Sequence, residues 1–452
     1  MRAIISLAWP LFLNTSVQAL LNLTDTWFLG RISVDALAAI GSIFFLVLVF
    51  VLLFGGVGQA VQTVVAQAHG AGQREGAAAS TWAGLYAAIF TAPAFLAAAV
   101  FGGWIIRPFG LEPAVFALAK EYWFPRVLGG WIGVAVWGVS GFFNGVGRTR
   151  ISLWAALVIG VANAGLNQLL MFELGLGVAG AAWATNIAQL IGLVLLVLVF
   201  LTRTFRSEYN THRLWKPKAG AIWRLFLLGI PMGAAATADL AGFTMFQLML
   251  ARYGAVEAAA SQIVMMLTSV SYMPAIGLAL AGTTLVGQSI GANDRDWAAR
   301  LGNRVILICM AYMGAIGILL ALLGGHAIRP FVSGEGNVEL VTDLGAKLLW
   351  IAALYQVSDA VNLGCAFCLR GAGDVKFPAV MLLLLSWFGF VPLTHILTFA
   401  PGEGLVDFLP QYGLGATGSW IAAVVYICLL SLSLWARWQS GRWRRITLAT
   451  TC

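Results

Sequence analysis

Twelve apolar runs, each long enough to cross a lipid bilayer, follow one another along this chain with short polar breaks between them. In hydrocarbon every backbone N–H and C=O must find its partner within the protein, so runs of about 20 apolar residues leave the helix as the natural solution. Bounded by Gly, Pro and charge, the runs cover roughly 4–29, 36–67, 77–106, 122–143, 151–172, 178–201, 222–251, 256–288, 303–323, 340–369, 377–399 and 414–435. The fold class that follows is all-α integral membrane with twelve transmembrane helices. Only 10% of the residues are charged, against about 25% in an ordinary soluble domain, which excludes a soluble enzyme or a disordered chain. Pro10, Asn14, Gln18, Asn22 and Asp25 interrupt the first run and no small-residue cleavage site follows it, so it reads as a retained span rather than a signal peptide.

A formal net charge of +8 raises the question of nucleic acid, but the basic residues lie between the apolar runs. With the N-terminus inside, nineteen of the 26 Lys and Arg fall on the cytoplasmic side. The other seven, Arg31, Arg107, Lys120, Arg126, Arg252, Arg329 and Lys347, fall opposite. The positive-inside rule accounts for this bias. Both termini are expected to be cytoplasmic, in the cell inner membrane, with lipid and small molecules as partners, no nucleic acid, and a monomeric state. Five cysteines make no disulfide framework. Cys365 and Cys368 form a CxxC inside an apolar run with no second ligand pair nearby, and packing is the simpler reading than a metal or redox site. No cofactor and no resident metal are expected.

The one long basic connection, Arg203 to Lys218, lies near the middle of the chain and reads as a linker. It divides the chain into an N-lobe (1–202), a cytoplasmic linker (203–220), a C-lobe (221–436) and a cytoplasmic basic tail (437–452). The two lobes repeat one another. TVVAQAHGAG from Thr63 returns as TLVGQSIGAN from Thr284, 221 positions on, and Pro10 with Pro231 and Arg31 with Arg252 share that offset. Arg107-Pro108-Phe109 returns as Arg329-Pro330-Phe331 at 222, Gly145-Val-Gly147 as Gly371-Ala-Gly373 at 226, and Gly175-Leu-Gly177 as Gly413-Leu-Gly415 at 238. Ordered matches at growing offsets are what duplication followed by loop insertion leaves. Six spans per half is an even number, so the repeats are parallel, with a cleft expected between them near the midplane.

Of 18 carboxylates, Asp25, Asp239 and Asp359 lie well inside apolar runs. Placing Asp near a membrane-helix centre costs ~2.5–3.5 kcal/mol on insertion scales, so such residues face protein or a wet cavity and are functional candidates. Asn14, Gln18, Asn22 and Asp25 form one stripe on the first helix, and Asn163 and Asn167 share a face of the fifth with Thr185 on the sixth. For the amides alone, interhelical hydrogen bonding is an equal reading. In the second half Tyr355, Asp359 and Asn362 share a face of the tenth helix, and Asp239 follows Pro231 by eight residues. Two carboxylates and a phenol suit a cation: a sodium ion wants several oxygen ligands, while a proton needs only a desolvated carboxylate. Pro10 and Pro231 each remove a helical hydrogen bond beside a carboxylate-bearing segment and are hinge candidates. GLGVAG from Gly175 has no preceding strand, so it is read as close helix packing rather than a nucleotide loop.

These residues resemble the multidrug and toxic compound extrusion (MATE) family over essentially the whole chain. The resemblance rests on Pro10 followed by NLTDTWFLG, on VAQAHGAG with its echo VGQSIGAN, and on the spacing Pro231 to Asp239. LYQVSDAVN followed by LRGAGD resembles the NorM-type branch. The resemblance implies a V-shaped pair of six-helix lobes that exports organic, often cationic, compounds in exchange for Na+ or H+. It places cation or proton coupling in the N-lobe on Asp25, Asn163, Asn167 and Thr185, and cation binding in the C-lobe on Asp239, Tyr355 and Asp359. Asn14, Gln18, Asn22 and Asn362 remain as substrate-cavity candidates. Two departures matter: Asn167 stands where some relatives carry Asp, which removes a charge, and Asp239 stands where the branch usually has Glu, one methylene longer. A lipid-linked sugar flippase of the wider superfamily ranks lower, because its cleft would want cationic residues and here the bases sit at span ends. An integral-membrane transferase ranks lowest, since the four His are scattered and no nucleophile motif appears; the chain is not read as an enzyme.

Overall fold

In the computed structural model, residues 2–216, 218–331, 338–446 and 448 are described, excluding the side chains of residues 2, 3, 19, 21–23, 26, 30, 34, 35, 37 and 38. Twelve long helical segments run through the described residues: α1 (Arg2–Gly30), α2 (Val34–Gly70), α3 (Arg74–Val100), α4 (Pro113–Gly145), α5 (Thr149–Glu173), α6 (Gly177–Phe200), α7 (Ala219–Tyr253), α8 (Ala255–Gly291), α9 (Arg295–Leu323), α10 (Val338–Ala372), α11 (Lys376–Thr398) and α12 (Gly415–Gln439). Ten are long and apolar enough to cross a membrane by length and composition alone. The other two, α1 and α10, are the helices that carry Asp25 and Asp359. Outward faces are strongly apolar, with Trp104, Val161 and Phe388 among the exposed side chains.

Helix ends follow local chemistry. The Ser33 hydroxyl accepts the Ala36 N–H at the start of α2, and Asp294 accepts the Trp297 N–H at the start of α9, satisfying donors that a helix N-terminus leaves free. The duplicated motifs end in duplicated turns. Gly72 and its repeat partner Asn293 are both left-handed (φ 74° and 61°), as are Gly147 and Gly373 (φ 83° and 84°). The conformation is inherited with the sequence.

One end of the bundle, here the near end, holds the start of α1 and the turns α2–α3, α4–α5, α8–α9 and α10–α11. Two cores form around it. The first joins α2–α6 and takes in Leu225, Leu228 and Met232 from the near half of α7. The second joins α8–α12 and takes in Ile4, Leu7, Ala8 and Leu11 from the near half of α1. Thus the first helix of each repeat leans, in its near half, onto the second helix of the other. The close approaches obey the repeat: a side chain on Gly56 of α2 would collide with Gly229 and Gly233 of α7, and one on Gly277 of α8 would collide with Leu11 and Phe12 of α1. Gly56 and Gly277 are 221 apart, as are Phe12 and Gly233. Pro10 and Pro231 lie inside α1 and α7, within two residues of these crossings, and both helices continue past them.

Three readings of the sequence need adjustment. α4 begins at Pro113, nine residues before the apolar run, because Lys120, Glu121 and Arg126 lie on a helix whose other face buries Ala119, Trp123 and Val127. Arg126, counted among the bases outside the spans, is therefore interior to α4. The linker is partly built: Arg203–Tyr209 is helical and buries Phe205 and Tyr209 against Phe142, while Glu208 bridges to Arg148 at 2.7 Å. Burial pushes the Tyr209 phenol up to about 12, so it stays protonated beside His69 Nδ1 at 3.0 Å. The basic tail is docked as well as basic, with Trp443 stacked on Trp438 at 4.5 Å and Leu448 packed on the first core. Residue 217 of the linker and residues 447 and 449–452 of the tail lie outside the described residues.

Candidate functional site

In the first repeat, α1, α5 and α6 bring four of the expected residues into one hydrogen-bonded line. The Asn167 amide donates to Asp25 Oδ1 at 2.6 Å and to Asn163 Oδ1 at 3.3 Å, and the Asn163 amide donates to Thr185 Oγ1 at 3.3 Å. Thr185 closes the line by donating to the Ala181 carbonyl at 3.0 Å. The i, i+4 spacing of Asn163 and Asn167 makes this possible, since both project from one side of α5. Asn163 and Asn167 are buried and Asp25 is half-buried. Among the described residues, the buried Asn167 Oδ1 has no hydrogen-bond partner. A carboxylate beside a free amide oxygen and a hydroxyl is an oxygen-rich setting for a cation.

Two residues that sequence reading passed over stand at this site. On α4 Tyr122 and Arg126 stand one turn apart, and both are within electrostatic reach of Asp25. Tyr122 packs on the cluster formed by Phe28, Met171, Val178 and Ala181. Their i, i+4 spacing was the available signal, hidden because the apolar run was taken to begin at Tyr122. Of the cavity candidates on α1, Asn14 is half-buried and Gln18 exposed; the side chain of Asn22 lies outside the described residues.

In the second repeat, α7, α10 and α12 assemble a different group. Tyr426 donates to Asp239 Oδ1 at 2.8 Å, and the Asn362 amide donates to Asp359 Oδ1 at 3.0 Å. Asn362, assigned to the cavity on sequence, is thus a direct partner of Asp359, a buried carboxylate. The two carboxylates interact electrostatically, and Tyr272 and Tyr355 lie within reach of both. Tyr355 makes edge contacts with the rings of Phe243 and Trp420, whereas the phenol that bonds a carboxylate is Tyr426, stacked on Phe390 at 4.9 Å. Sequence gave no sign of Tyr426, a lone tyrosine in an apolar run. Cys365 and Cys368, further along α10 than Asp359, are buried in the second core.

The repeats meet in a seam confined to the near half. The Gln67 amide donates to the Gly371 carbonyl at 2.9 Å, and the Gln288 amide donates to the Gly145 carbonyl at 2.7 Å. Gln67 and Gln288 are the repeated glutamines, and Gly371 and Gly145 the repeated glycines. Each repeat therefore grips the other with the same hand. The adjacent glycines obey the same exchange: a side chain on Gly70 would strike the Gln288 carbonyl, and one on Gly291 the Gln67 carbonyl. Gln62 bonds Leu280 O and Thr284 Oγ1, and Thr284 bonds Asn144 O. Among the described residues, the hydrogen bonds that join the repeats reach no further than Thr237 to Val49, at the middle of α7 and α2.

The MatE family model matches residues 10–169 and 221–394, the helices that carry both carboxylate groups and the seam. The chain belongs to the MatE family. As a member it is a membrane transporter and not an enzyme. Among relatives of this MatE protein, a probable multidrug resistance protein NorM of Thermotoga maritima is 27% identical, covering 99% of this chain and 94% of its own. A probable NorM of Rhodopseudomonas palustris is 28% identical over 94% of this chain and 89% of its own. Two solved structures share the fold. One is a MOP-superfamily transporter from Pyrococcus furiosus, described as having a binding pocket of reverse polarity (TM-score 0.86, 20% identity, 98% of this chain and 96% of that one). The other is a multidrug resistance MATE-family transporter in an outward-facing conformation (TM-score 0.85, 20% identity, again 98% and 96%).

Proposed function

We propose that this MatE transporter is an antiporter that exports organic, often cationic, compounds in exchange for Na+ or H+, working as a monomer by alternating access. The observation that carries the reading is the seam: two repeats, each with a membrane-embedded carboxylate site, are joined, among the described residues, by hydrogen bonds in one half only. The basic excess makes the near end cytoplasmic, with both termini inside the cell inner membrane, so the closed seam corresponds to a cleft facing outward. The moving bodies are residues 1–202 and 221–436, with the near halves of α1 and α7 forming the contact that must part. Most of the seam bonds run from side-chain amides or hydroxyls to backbone carbonyls, which water can replace when the lobes separate. Such an interface opens at low net cost, because a protein hydrogen bond is worth only about 0.5–1.5 kcal/mol over its solvated alternative.

Entry of the cation onto Asp239 and Asp359, or onto Asp25, relieves unpaired negative charge and changes the packing of the helices that also form the seam. The names of the relatives and the aromatic rings of Phe243, Tyr355 and Trp420 near the C-lobe carboxylates support organic substrates, since a cation over an aromatic face is attracted to it. One coupled charge at 100 mV supplies ~2.3 kcal/mol, enough for roughly a 50-fold gradient. The deciding measurement is substrate efflux from proteoliposomes under a sodium gradient alone and then a proton gradient alone. Export is expected with one of them, and no response to either would overturn the reading.

Tyr426 gives a finer test. Its hydroxyl donates to Asp239 and so competes with an incoming cation for that carboxylate. Tyr426→Phe is expected to tighten the apparent affinity for the driving ion by about tenfold, since a hydrogen bond to a charged group is worth about 1.5–3 kcal/mol. Half-saturating ion concentrations for the two proteins make the comparison, and a weaker affinity in the variant would count against Asp239 as a ligand.

A further inference from the structure

The Gln67 and Gln288 bonds and the Gly70 and Gly291 approaches obey the duplication; the contact of Arg370 does not and, unlike the cross-seam hydrogen bonds described above, it brings a charge. Arg370 Nη1 donates to Gln59 Oε1 at 2.9 Å across the seam, and the guanidinium lies 4.4 Å over the Phe367 ring. The repeat partner of Gln59 is Leu280 and that of Arg370 is Asn144. Those counterparts carry no charge and enter the seam through their backbone carbonyls, which accept from Gln62 and Thr284. One repeat alone has placed a fixed positive charge in the contact.

Among the described residues, no ion pair compensates that charge. Asp374, four residues on, is committed to Arg437 at 2.7 Å. Among the described residues, none of the carboxylates that form ion pairs pairs with Arg370. Its place is also telling: Gln59 lies one turn nearer the near end than Gly56, about 4.5 Å along α2. Gly56 is where α2 makes its backbone approach to α7. The guanidinium therefore sits in the closed half, between the floor of the cleft and the near face. An arginine in such a position is how some pores exclude cations. A unit charge about 10 Å from a path, at an effective dielectric near 20, lowers the local occupancy of a monovalent cation by more than about tenfold.

We propose that Arg370 is the electrostatic seal of the seam, excluding sodium ions and protons from the lobe interface so that the coupling cation crosses only with the conformational exchange. The proposal rests on the cation-coupled reading above, but its test needs no organic substrate. The full-length protein is reconstituted in liposomes under an inward gradient, and substrate-free leak is followed with radioactive sodium and with an internal pH dye. Arg370→Gln is expected to raise the cation leak about tenfold, while Arg370→Lys, which keeps the charge, stays near the parent protein.

Gln59→Glu is the sharper variant. It is nearly isosteric, faces Arg370 with a carboxylate and tightens the cross-seam bond, yet it cancels the charge; the leak should rise as in Arg370→Gln. A Gln59→Glu protein as tight as the parent would overturn the proposal, as would Arg370→Lys leaking as much as Arg370→Gln, which would mark a packing role. Should Arg370→Gln fail to reconstitute, Gln59→Glu decides alone. Failure of the parent protein to export under any gradient would remove the coupled reading while leaving this leak comparison intact.

Discussion

Substituting either Gly70 or Gly291 by Ala is expected to hold the lobes apart at the near end and to cut transport by at least about fivefold, with the two variants behaving alike. At both positions the added methyl would overlap a backbone carbonyl of the other repeat, Gln288 or Gln67, rather than the tip of a flexible side chain. The neighbour cannot rotate away, so the closed seam must loosen. Overpacking of this kind costs about 1–3 kcal/mol, which moves a two-state equilibrium by about five- to a hundredfold. Neither glycine has a positive φ, so alanine fits the local backbone and the open state is untouched. Spin labels at Arg74 and Arg295, repeat-related positions beside the seam, should report a longer mean distance in both variants. Unchanged distances together with full transport would show that the seam is not the moving contact.

Asp359→Asn is expected to abolish coupled export, by about a hundredfold or more, while leaving the protein folded and somewhat more heat-stable. Asp359 is buried, accepts from Asn362 and faces a second carboxylate at Asp239. Burying like charges together is costly unless a cation joins them, and removing one of them relieves desolvation and repulsion. Function and stability should therefore move in opposite directions, which simple misfolding cannot mimic. Asp25→Asn should be milder in stability, because Asp25 is half-buried and held by the Asn167 amide. Transport rates in liposomes and melting curves in detergent provide the comparison. Coupled rates near the parent value in both Asp359→Asn and Asp25→Asn would remove the assignment of these carboxylates.

The twelve helices were legible because lipid admits few alternatives and the apolar runs are long. The boundaries were less so at α4, where Lys120 and Arg126 look like a loop in one dimension and like one face of a helix in three. The Asp25 line was readable from the spacing of Asn163 and Asn167, since both lie within a single helix. Tyr426 was not, because its partner Asp239 is 187 positions away and nothing polar surrounds it in sequence. The repeated AQAHG and GQSIG motifs were visible as a duplication, but their meaning was hidden. Each glutamine spends its amide on the other repeat, 304 positions away for Gln67 and 143 for Gln288. Periodicity exposes what a helix does to itself; a duplicated motif that works in exchange shows only its copy number.

The docked linker sets a mechanical allowance. Phe205 and Tyr209 are buried on the first repeat, Trp82 donates to the Thr211 carbonyl at 2.7 Å and Leu214 packs on the first core, so the chain is fastened as far as Leu214. From there to Ala219, where α7 starts, is five residues. Five residues can span at most about 17 Å. The connector thus acts as a short leash: it permits the two halves to rock apart at the cytoplasmic face by little more than a helix diameter, and it prevents them from drifting out of register in the plane of the bilayer.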